Sequence, residues 1–498
     1  MYTKSTTVIV VVMLLLSCFY ASICYIAQFD HQIYGDDYPV WLMIGQKVNS
    51  GAIMYREAWD SKGPLMLYFY ALGLLVGNGN AAGTYLLNTM WATITVLIVY
   101  KAGRLLFPPV WAALTCLFLT IPQLVVFQHV GGYSQALVIA FHAAGFFVFI
   151  KIRQSPSTEV KFLLLFGFFS SCAFLIQPNL VTFWLWSALV WFGEDVLFHH
   201  HPYRFLKKIG GTLCGALPLI IAFSLYFTYH QAFLDFYDAW IGYNLSERQT
   251  HLLELSQFIK AMKDSYQPLR PLPNLLIVAA GIKCILLCWP SSPFNRHSLP
   301  MTFFFLLGWL LIEFISSSIG GYTQFAHYFG PTLLPLSLVL TYLIYNIFLN
   351  IRECRKLLIV GSTTLIVCLS LSYQTLLHPF QWSEQLRARP WEIQELIDFI
   401  VANSDPEDRV MGAGAYTYAA IFYTKRQYPQ KAVSYWMTRF KPEFRHLLAT
   451  EPLPKIILIP SFWDVKAKDP DIFEVLEKSY TQQGTTLKFL LYVRNSQQ

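Results

Sequence analysis

The residues best suited to chemistry stand close together near the start of the chain, between Tyr34 and Pro64. A pair of carboxylates, Asp36 and Asp37, comes first, and the other charged side chains of interest follow within thirty positions, namely Arg56, Glu57, Asp60 and Lys62. A carboxylate can take a proton from a hydroxyl group, and cations can hold an anionic leaving group. Charged residues are also common in any loop that lies at a membrane surface in contact with water. Residue chemistry alone therefore leaves open whether this cluster is a reactive site or a solvated loop.

The composition is that of a membrane protein. The chain has 498 residues, of which 55% are hydrophobic and 13% charged, whereas soluble domains carry about 25% charged residues. The net charge of +7 does not indicate a nucleic-acid partner, because the basic residues lie in short loops between apolar runs, where they set topology. The nine cysteines lie in or beside apolar runs, which argues against a disulfide framework.

Apolar length predicts about eleven transmembrane helices. The first is Val8–Ala27, read as an uncleaved anchor, and the others lie at 81–106, 108–127, 133–150, 162–177, 179–198, 209–229, 273–289, 299–318, 330–349 and 357–376. The apolar stretch Pro64–Val76 is short. If it does not cross, all the basic loops face the cytoplasm, as the positive-inside rule requires. It is therefore predicted to be an interfacial helix in the first outer loop, 28–80, with Tyr68, Phe69 and Tyr70 at headgroup depth.

The end of the chain has a different character. From about residue 390 the charge rises and the apolar runs shorten. Helical spacing in Trp391–Asn403 and 469–480 alternates with strand-like runs at 409–411, 455–459 and 485–493, which predicts a small α/β domain. The predicted organisation is a transmembrane domain over 1–380 and an extracytoplasmic domain over 381–498.

The first loop also resembles a known family. An acidic pair after the first span is followed by a pattern that this chain matches at Gly51, Tyr55, Arg56, Glu57, Trp59, Asp60, Lys62 and Pro64. This motif and the layout of the whole chain resemble the GT-C glycosyltransferases of the dolichyl-phosphate-mannose–protein mannosyltransferase and ArnT-like group. The chain departs mildly from that pattern, with Asp37 where the family usually has Glu and Gly63 where it often has Pro.

The resemblance implies an activity and roles for individual residues. It implies an inverting transferase that moves a sugar from a polyprenyl-phosphate donor to a lipid, glycan or protein acceptor. Asp36 would be the general base with Asp37 beside it, and Lys62 would contact the donor phosphate. Other residues expected to bind the donor phosphate or the substrates are Arg56, Asp60, Tyr55, His327 and Tyr328. It also implies a multi-pass protein of the bacterial inner membrane, with its site and C-terminal domain on the periplasmic side.

Two positions elsewhere depart from the related sequences. Related chains often carry a Glu near the position of Gln135 and a Lys before the proline at Pro178, where this chain has Gln177. A second carboxylate and a second phosphate contact are thus predicted to be missing. No cofactor is implied, although a divalent cation could bind the oxygen atoms of Asp36 and Asp37.

Two other classes of protein compete with a transferase. A transporter or flippase of lipid-linked saccharides would place polar groups in the middle of its spans, yet Glu313 is nearly the sole acidic residue in the middle of a predicted span. A non-catalytic membrane scaffold that presents the C-terminal domain would not explain why the first loop carries so many charged residues. The density of charge in that loop favours the transferase.

Overall fold

The computed structural model describes residues 4–26, 37–127, 132–154, 159–246, 301–319, 326–351, 391–412, 415–429, 441–450, 452–461, 463–485 and 489–495. The contacts divide the chain into two compact units. The first comprises Met1–Ile26, Leu86–Tyr226 and Tyr243–Gln381, and the second comprises Ala27–Tyr85, Phe227–Gly242 and Trp382–Gln498. The predicted boundary between 380 and 381 lies outside the described residues.

The described chain is mostly helical. Its first helices are α1 (Lys4–Ile23), α2 (Tyr38–Asn49), α3 (Pro64–Val76), α4 (Ala82–Gly103), α5 (Pro109–Val126), α6 (Ser134–Gln154), α7 (Glu159–Ile176), α8 (Thr182–Phe192) and α9 (Pro202–Tyr229). They are followed by α10 (Phe233–Tyr237), α11 (Tyr243–Ser246), α12 (Met301–Ile319), α13 (Leu333–Ile351) and α14 (Trp391–Asn403). The 3-10 helix Pro178–Val181 separates α7 from α8, and a second one, Ala326–Thr332, leads into α13.

The chain is an integral, multi-pass membrane protein. Within the described residues, 6 helical segments are long and apolar enough to cross a bilayer, and shorter apolar helices accompany them. The predicted spans at 273–289 and 357–376 lie outside the described residues, and each of the other predicted spans coincides with a helix. The prediction of a polytopic helical fold is confirmed.

Aromatic side chains form the core of the first unit. Phe149 stacks on Phe305 with 4.3 Å between ring centroids, and Phe183 packs on Trp309 at 4.5 Å. These contacts join α6, α8 and α12. Glycine allows a closer approach of α7 and α9, since a Cβ atom on Gly167 would collide with the backbone oxygen of Thr212. In a bundle that lipid surrounds, close van der Waals packing of this kind replaces the hydrophobic effect as the force between helices.

Ion pairs join helix ends within the first unit. Arg153, in the last turn of α6, lies 2.7 Å from Glu194, and Lys208 of α9 lies 2.7 Å from Asp195. Glu194 and Asp195 belong to the π-helical turn that follows α8. The basic ends of α6 and α9 therefore lie at the same end of the bundle.

The second unit begins with the two short helices of the first loop. Helix α3 has 13 residues, about 20 Å of helix, which is too short to span a bilayer. It packs against α2, and Asn49 of α2 donates a 2.9 Å hydrogen bond to the carbonyl oxygen of Ala71. The Tyr70 side chain is fully buried, because it packs on Tyr38 and Trp41 of α2, and the predicted headgroup depth of Tyr68, Phe69 and Tyr70 stays a prediction.

The C-terminal part of the second unit is a small α/β layer. Four strands, β1 (Val410–Gly412), β2 (Ile456–Pro460), β3 (Tyr480–Thr485) and β4 (Phe489–Arg494), pair in the order β1-β2-β4-β3. β1 and β2 are parallel, while β4 runs antiparallel to both β2 and β3. The accompanying helices are α15 (Ala415–Thr424), α16 (Lys441–Ala449), α17 (Val465–Lys468) and α18 (Pro470–Ser479). The predicted small sheet region is confirmed.

Candidate active site

Asp37 is the member of the acidic pair that the structure describes, and it stands at the start of a helix. Asp37 is the residue immediately before α2, and Pro39 occupies the first turn, where the fixed φ of proline suits a helix. Among the described residues, the Asp37 side chain makes no capping hydrogen bond to its own helix. Its carboxylate is therefore placed at the positive end of the helix dipole without being used as a cap. Asp36 lies outside the described residues.

The end of α2 is fixed by a Schellman motif. Gly51 donates its N–H to the carbonyl of Val48, and Ala52 donates to that of Lys47, with both N···O distances 3.0 Å. Gly51 has φ +94°, a left-handed conformation that glycine adopts without strain. The matched glycine of the motif is thus the residue that turns the chain out of α2 toward the remaining charged positions.

Tyr55 holds the next turn closed. It has φ +68°, its N–H donates to the carbonyl of Ala58 at 2.7 Å, and its hydroxyl donates to the carbonyl of Lys62 at 2.8 Å. Its ring is fully buried and packs against Phe227 and Phe236. Tyr55 therefore acts on the position of Lys62 through the backbone.

Asp60 and Lys62 form the charged centre of the loop. The backbone N–H of Lys62 donates to Oδ1 of Asp60 at 2.8 Å, and the indole N–H of Trp41 also donates to this carboxylate. The Lys62 side chain is only 7% exposed. Burial raises the pKa of Asp60 to about 6, the Lys62 charge opposes that rise, and the nearby Asp37 carboxylate adds to it. The fold thus brings Asp37, Asp60 and Lys62 into one electrostatic cluster.

Arg56 and Glu57 are used differently. Their side chains form an ion pair at 2.7 Å and are each close to half exposed. The backbone N–H of Ile53 and the Arg56 side chain, which both donate to Glu57, lower the pKa of its carboxyl group. Arg56 also donates to the carbonyl oxygen of His230 at 2.7 Å. In the described structure the guanidinium fastens the loop to the segment after α9, and its predicted phosphate contact stays a prediction.

The C-terminal sheet domain meets the same loop through α2. Helix α15 packs on α2, and the Lys47 ammonium lies 5.1 Å from the ring centroid of Tyr428. Burial lowers the pKa of Lys47 to about 8, while the charges of Glu443 and Glu57 oppose that shift. Helix α2, which follows Asp37, is therefore also supported by contacts with the C-terminal part of the second unit.

His327 and Tyr328 belong to the first unit and have their own surroundings. The His327 ring stacks on Tyr133 with 4.1 Å between centroids and 6° between planes, and it lies 4.6 Å from the Tyr328 ring. Next to Tyr133, the Ser134 hydroxyl lies 3.0 Å from Oε1 of Gln135 and 2.6 Å from Oε1 of Gln177. The predicted site residues that the structure describes therefore fall into two clusters, one in each unit.

Several of these partners were not predicted from the sequence. Trp41, Tyr133 and Ser134 carry no motif, and their neighbours come from distant parts of the chain. A buried polar residue beside a helix-breaking proline, as at Gln177, was the one available signal. Among the described residues no group of three or more His, Cys, Asp or Glu side chains could hold a metal ion.

The architecture is that of a polytopic membrane protein with a charged first loop and a small α/β domain, and its fold is the GT-C fold. The structure of ArnT from Cupriavidus metallidurans bound to undecaprenyl phosphate is similar over 100% of this chain and 99% of that chain, with a TM-score of 0.62 and 12% identity. The archaeal oligosaccharyltransferase AglB from Archaeoglobus fulgidus, in complex with an inhibitory peptide and a dolichol-phosphate, is similar over 99% of this chain and 75% of that chain, with a TM-score of 0.51 and 11% identity. No family model matches the sequence, and no curated protein matches it. The likeness to ArnT confirms the fold predicted from the first-loop motif.

Proposed function

We propose that the protein is an inverting membrane glycosyltransferase that moves a pentose or hexose from a polyprenyl-phosphate donor to an extracytoplasmic acceptor. The observation that carries the proposal is the cluster of Asp37, Asp60 and Lys62 on a fold shared with ArnT. ArnT was solved with undecaprenyl phosphate and AglB with a dolichol-phosphate. A buried cation beside carboxylates can bind the phosphate of a lipid-linked sugar, so this class of donor suits the site.

The chemistry needs few groups from the protein. A carboxylate of the acidic pair, assigned to Asp36, takes the proton from the acceptor hydroxyl as that oxygen attacks the anomeric carbon. The bond from the anomeric carbon to the phosphate oxygen breaks, and polyprenyl phosphate leaves as a stabilised anion. Lys62 holds this anion through a charge-assisted contact, and Arg56 is a second candidate for that role. The phosphate is a good leaving group, so no strong acid is needed.

Asp60 serves Lys62 in this scheme. Its carboxylate accepts a hydrogen bond from the Lys62 backbone N–H at 2.8 Å. This bond fixes the position of the Lys62 backbone, from which the side chain extends. A pKa of about 6 leaves Asp60 partly protonated near neutral pH. Protonation of Asp60 removes a negative charge that acts on the Lys62 side chain, which leaves that side chain better able to attract a phosphate.

We also assign a side of the membrane to the site. The basic ends of α6 and α9 lie together and pair with Glu194 and Asp195, and clusters of this kind face the cytoplasm. The first loop and the C-terminal domain then face outward, on the periplasmic side if the membrane is a bacterial inner membrane. The acceptor would be a lipid, a glycan or a protein on that side.

The decisive experiment is product formation by the full chain in proteoliposomes. Radiolabelled polyprenyl-phosphate sugars are supplied with envelope lipids, glycans and proteins as acceptors, and the label is followed into the acceptor fraction. Wild-type protein should transfer label, and Lys62→Ala should transfer much less at low donor concentration. Lys468→Ala changes an exposed lysine of the C-terminal domain and is the matched control. Absence of transfer from every donor, or equal transfer by Lys62→Ala, would refute the proposal.

A further inference from the structure

The Ser134, Gln135 and Gln177 cluster has more hydrogen-bonding groups than partners. Both glutamine side chains are only 1% exposed and Ser134 is fully buried. Within the described part of the chain, the amide nitrogens of Gln135 and Gln177 have no hydrogen-bond partner. A buried amide without a partner costs free energy. Two such groups held together in the helical bundle therefore have hydrogen-bonding capacity to offer to a ligand.

The mismatch does not depend on how the amides are oriented. The Ser134 hydroxyl has one proton and cannot fully serve both glutamine oxygens, which lie 3.0 and 2.6 Å away. Turning the Gln135 amide by 180° would pair its nitrogen with Ser134 and leave its oxygen unpaired instead. In either orientation, the two amides keep donor or acceptor capacity that these protein groups do not use.

Aromatic rings belong to the segments that adjoin these amides. Tyr133 precedes Ser134 in the chain, and its ring stacks on His327 at 4.1 Å. A Cβ atom at Gly330 would lie 2.8 Å from the Phe127 ring and 3.2 Å from Cβ of Gln135, so Gly330 lets this 3-10 segment approach α6. The Tyr133 and His327 side chains are only partly buried. Partly exposed rings and unpaired amides in the same segments can offer an apolar face and polar groups to one ligand.

We propose that Ser134, Gln135 and Gln177, with the rings of Tyr133 and His327, bind the hydroxyl groups of the donor sugar. This inference rests on the proposed function, because it names the subsite for the sugar of that donor. An amide offers both a donor and an acceptor, as a sugar hydroxyl does, whereas a phosphate only accepts. The two amides are neutral, which suits a neutral ring. The C–H face of a pyranose or furanose ring packs on the aromatic surface while its hydroxyls meet the amides.

The test separates sugar binding from phosphate binding. Gln135→Leu and Gln177→Leu are made in the full chain in nanodiscs, and each leaves Ser134 one amide oxygen. Affinity is measured for a polyprenyl-phosphate sugar and for sugar-free polyprenyl phosphate, together with the melting temperature. We expect each variant to bind the sugar-bearing donor about tenfold more weakly, with unchanged affinity for the sugar-free lipid. The melting temperature should be unchanged or higher, because an unmatched buried amide has been replaced by an apolar group.

Two further variants complete the experiment. Asn346→Leu removes an amide near the far end of α13, where Asn346 donates to the Tyr342 carbonyl at 2.8 Å, and it should not change donor affinity. Tyr133→Leu keeps both amides and removes part of the aromatic face, so it should also weaken the sugar-bearing donor alone. It remains informative if a glutamine variant fails to fold.

The outcomes distinguish this inference from the proposed function. If the wild-type protein binds and transfers no lipid-linked sugar, the proposed function fails and this subsite fails with it. If the wild type transfers sugar while the glutamine and tyrosine variants keep full donor affinity, the subsite alone is refuted. Equal weakening for the sugar-free lipid would show that the cluster holds the phosphate, which also overturns the sugar assignment.

Discussion

The hydroxyl of Tyr55 donates a 2.8 Å hydrogen bond to the backbone carbonyl of Lys62, seven positions later in the chain. The same lysine gives its backbone N–H to Asp60. Lys62 is therefore held on both sides of its own Cα atom, by groups that belong to one motif. Within that motif, Gly51 turns the chain, Tyr55 and Asp60 hold Lys62 in place, and Lys62 provides the charge.

Tyr55→Phe should loosen Lys62 without removing any charge. The substitution keeps the buried ring, which packs on Phe227 and Phe236, and deletes one hydrogen bond worth about 1 kcal/mol. We expect a small loss of melting temperature and a clear rise in donor KM. Tyr68→Phe, at a partly exposed tyrosine of α3, is the comparison. Wild-type donor KM in Tyr55→Phe would show that the bond does not position Lys62.

Lys62→Ala should act on the donor more strongly than any other change to a basic residue of the first loop. It removes a charge-assisted contact worth about 1.5–3 kcal/mol, which corresponds to a rise in donor KM of about tenfold to a hundredfold. Lys62→Arg should retain part of the activity, since it keeps the charge but changes the geometry. The measurement is initial transfer rate against donor concentration in proteoliposomes. Unchanged kinetics in Lys62→Ala would remove this residue from the site.

Much of this arrangement could be predicted from the sequence, for physical reasons. The apolar runs that must cross a bilayer are long and continuous, so α6 and α9 can be recognised from the sequence alone. The first-loop motif is local, because Tyr55, Asp60 and Lys62 interact within eight positions of one another. Short-range geometry of this kind is recorded in residue spacing.

Contacts between distant segments could not be predicted in the same way. Nothing in the spacing of Ser134 and Gln177 shows that their side chains meet across 43 positions. The strand β3 was missed because Tyr480–Thr485 reads YTQQGT and is mostly exposed, so it lacks the apolar alternation that marks a strand. The burial of Tyr70 against α2 could not be predicted either, since an aromatic residue near a membrane surface is equally suited to a protein core.

Asp60 should make stability depend on pH in a defined direction. Its pKa is about 6 in the folded protein and about 4 in an unfolded chain, so the folded state binds its proton more tightly. Between pH 4 and 6 the folded state keeps this proton and the unfolded state does not, so the stabilising contribution is present at low pH and is lost as pH rises through 6. Asp60→Asn cannot titrate. We expect the melting temperature of the wild type, measured relative to that of Asp60→Asn, to rise as the pH is lowered from 7.5 to 5. A difference in melting temperature that stays constant over this range would contradict this pKa.

The acidic pair should divide into an essential and a supporting residue. Asp36→Asn keeps size and hydrogen-bonding capacity but cannot accept a proton at neutral pH, and loss of a general base costs about 10²–10⁴-fold in rate. We expect transfer to fall by that amount while donor affinity stays close to wild type. Asp37→Asn should cost less, because Asp37 would only tune its neighbour and Asp60. If Asp37→Asn is the inactive variant, the site stands and the roles are exchanged, whereas wild-type rates in both would place the base elsewhere.

The orientation in the membrane gives the last prediction. The basic ends of α6 and α9 should face the cytoplasm, which puts the turn between α3 and α4 on the outside. Asn78 in that turn and Gln154 at the end of α6 are both exposed, so each can carry a single added cysteine. A membrane-impermeant thiol reagent should label Asn78→Cys in intact cells, and it should label Gln154→Cys only after the membrane is permeabilised. The protein without an added cysteine gives the background from the native thiols. The opposite labelling pattern would invert the topology and place the first loop, with Asp37 and Lys62, on the cytoplasmic side, where an extracytoplasmic acceptor could not reach it.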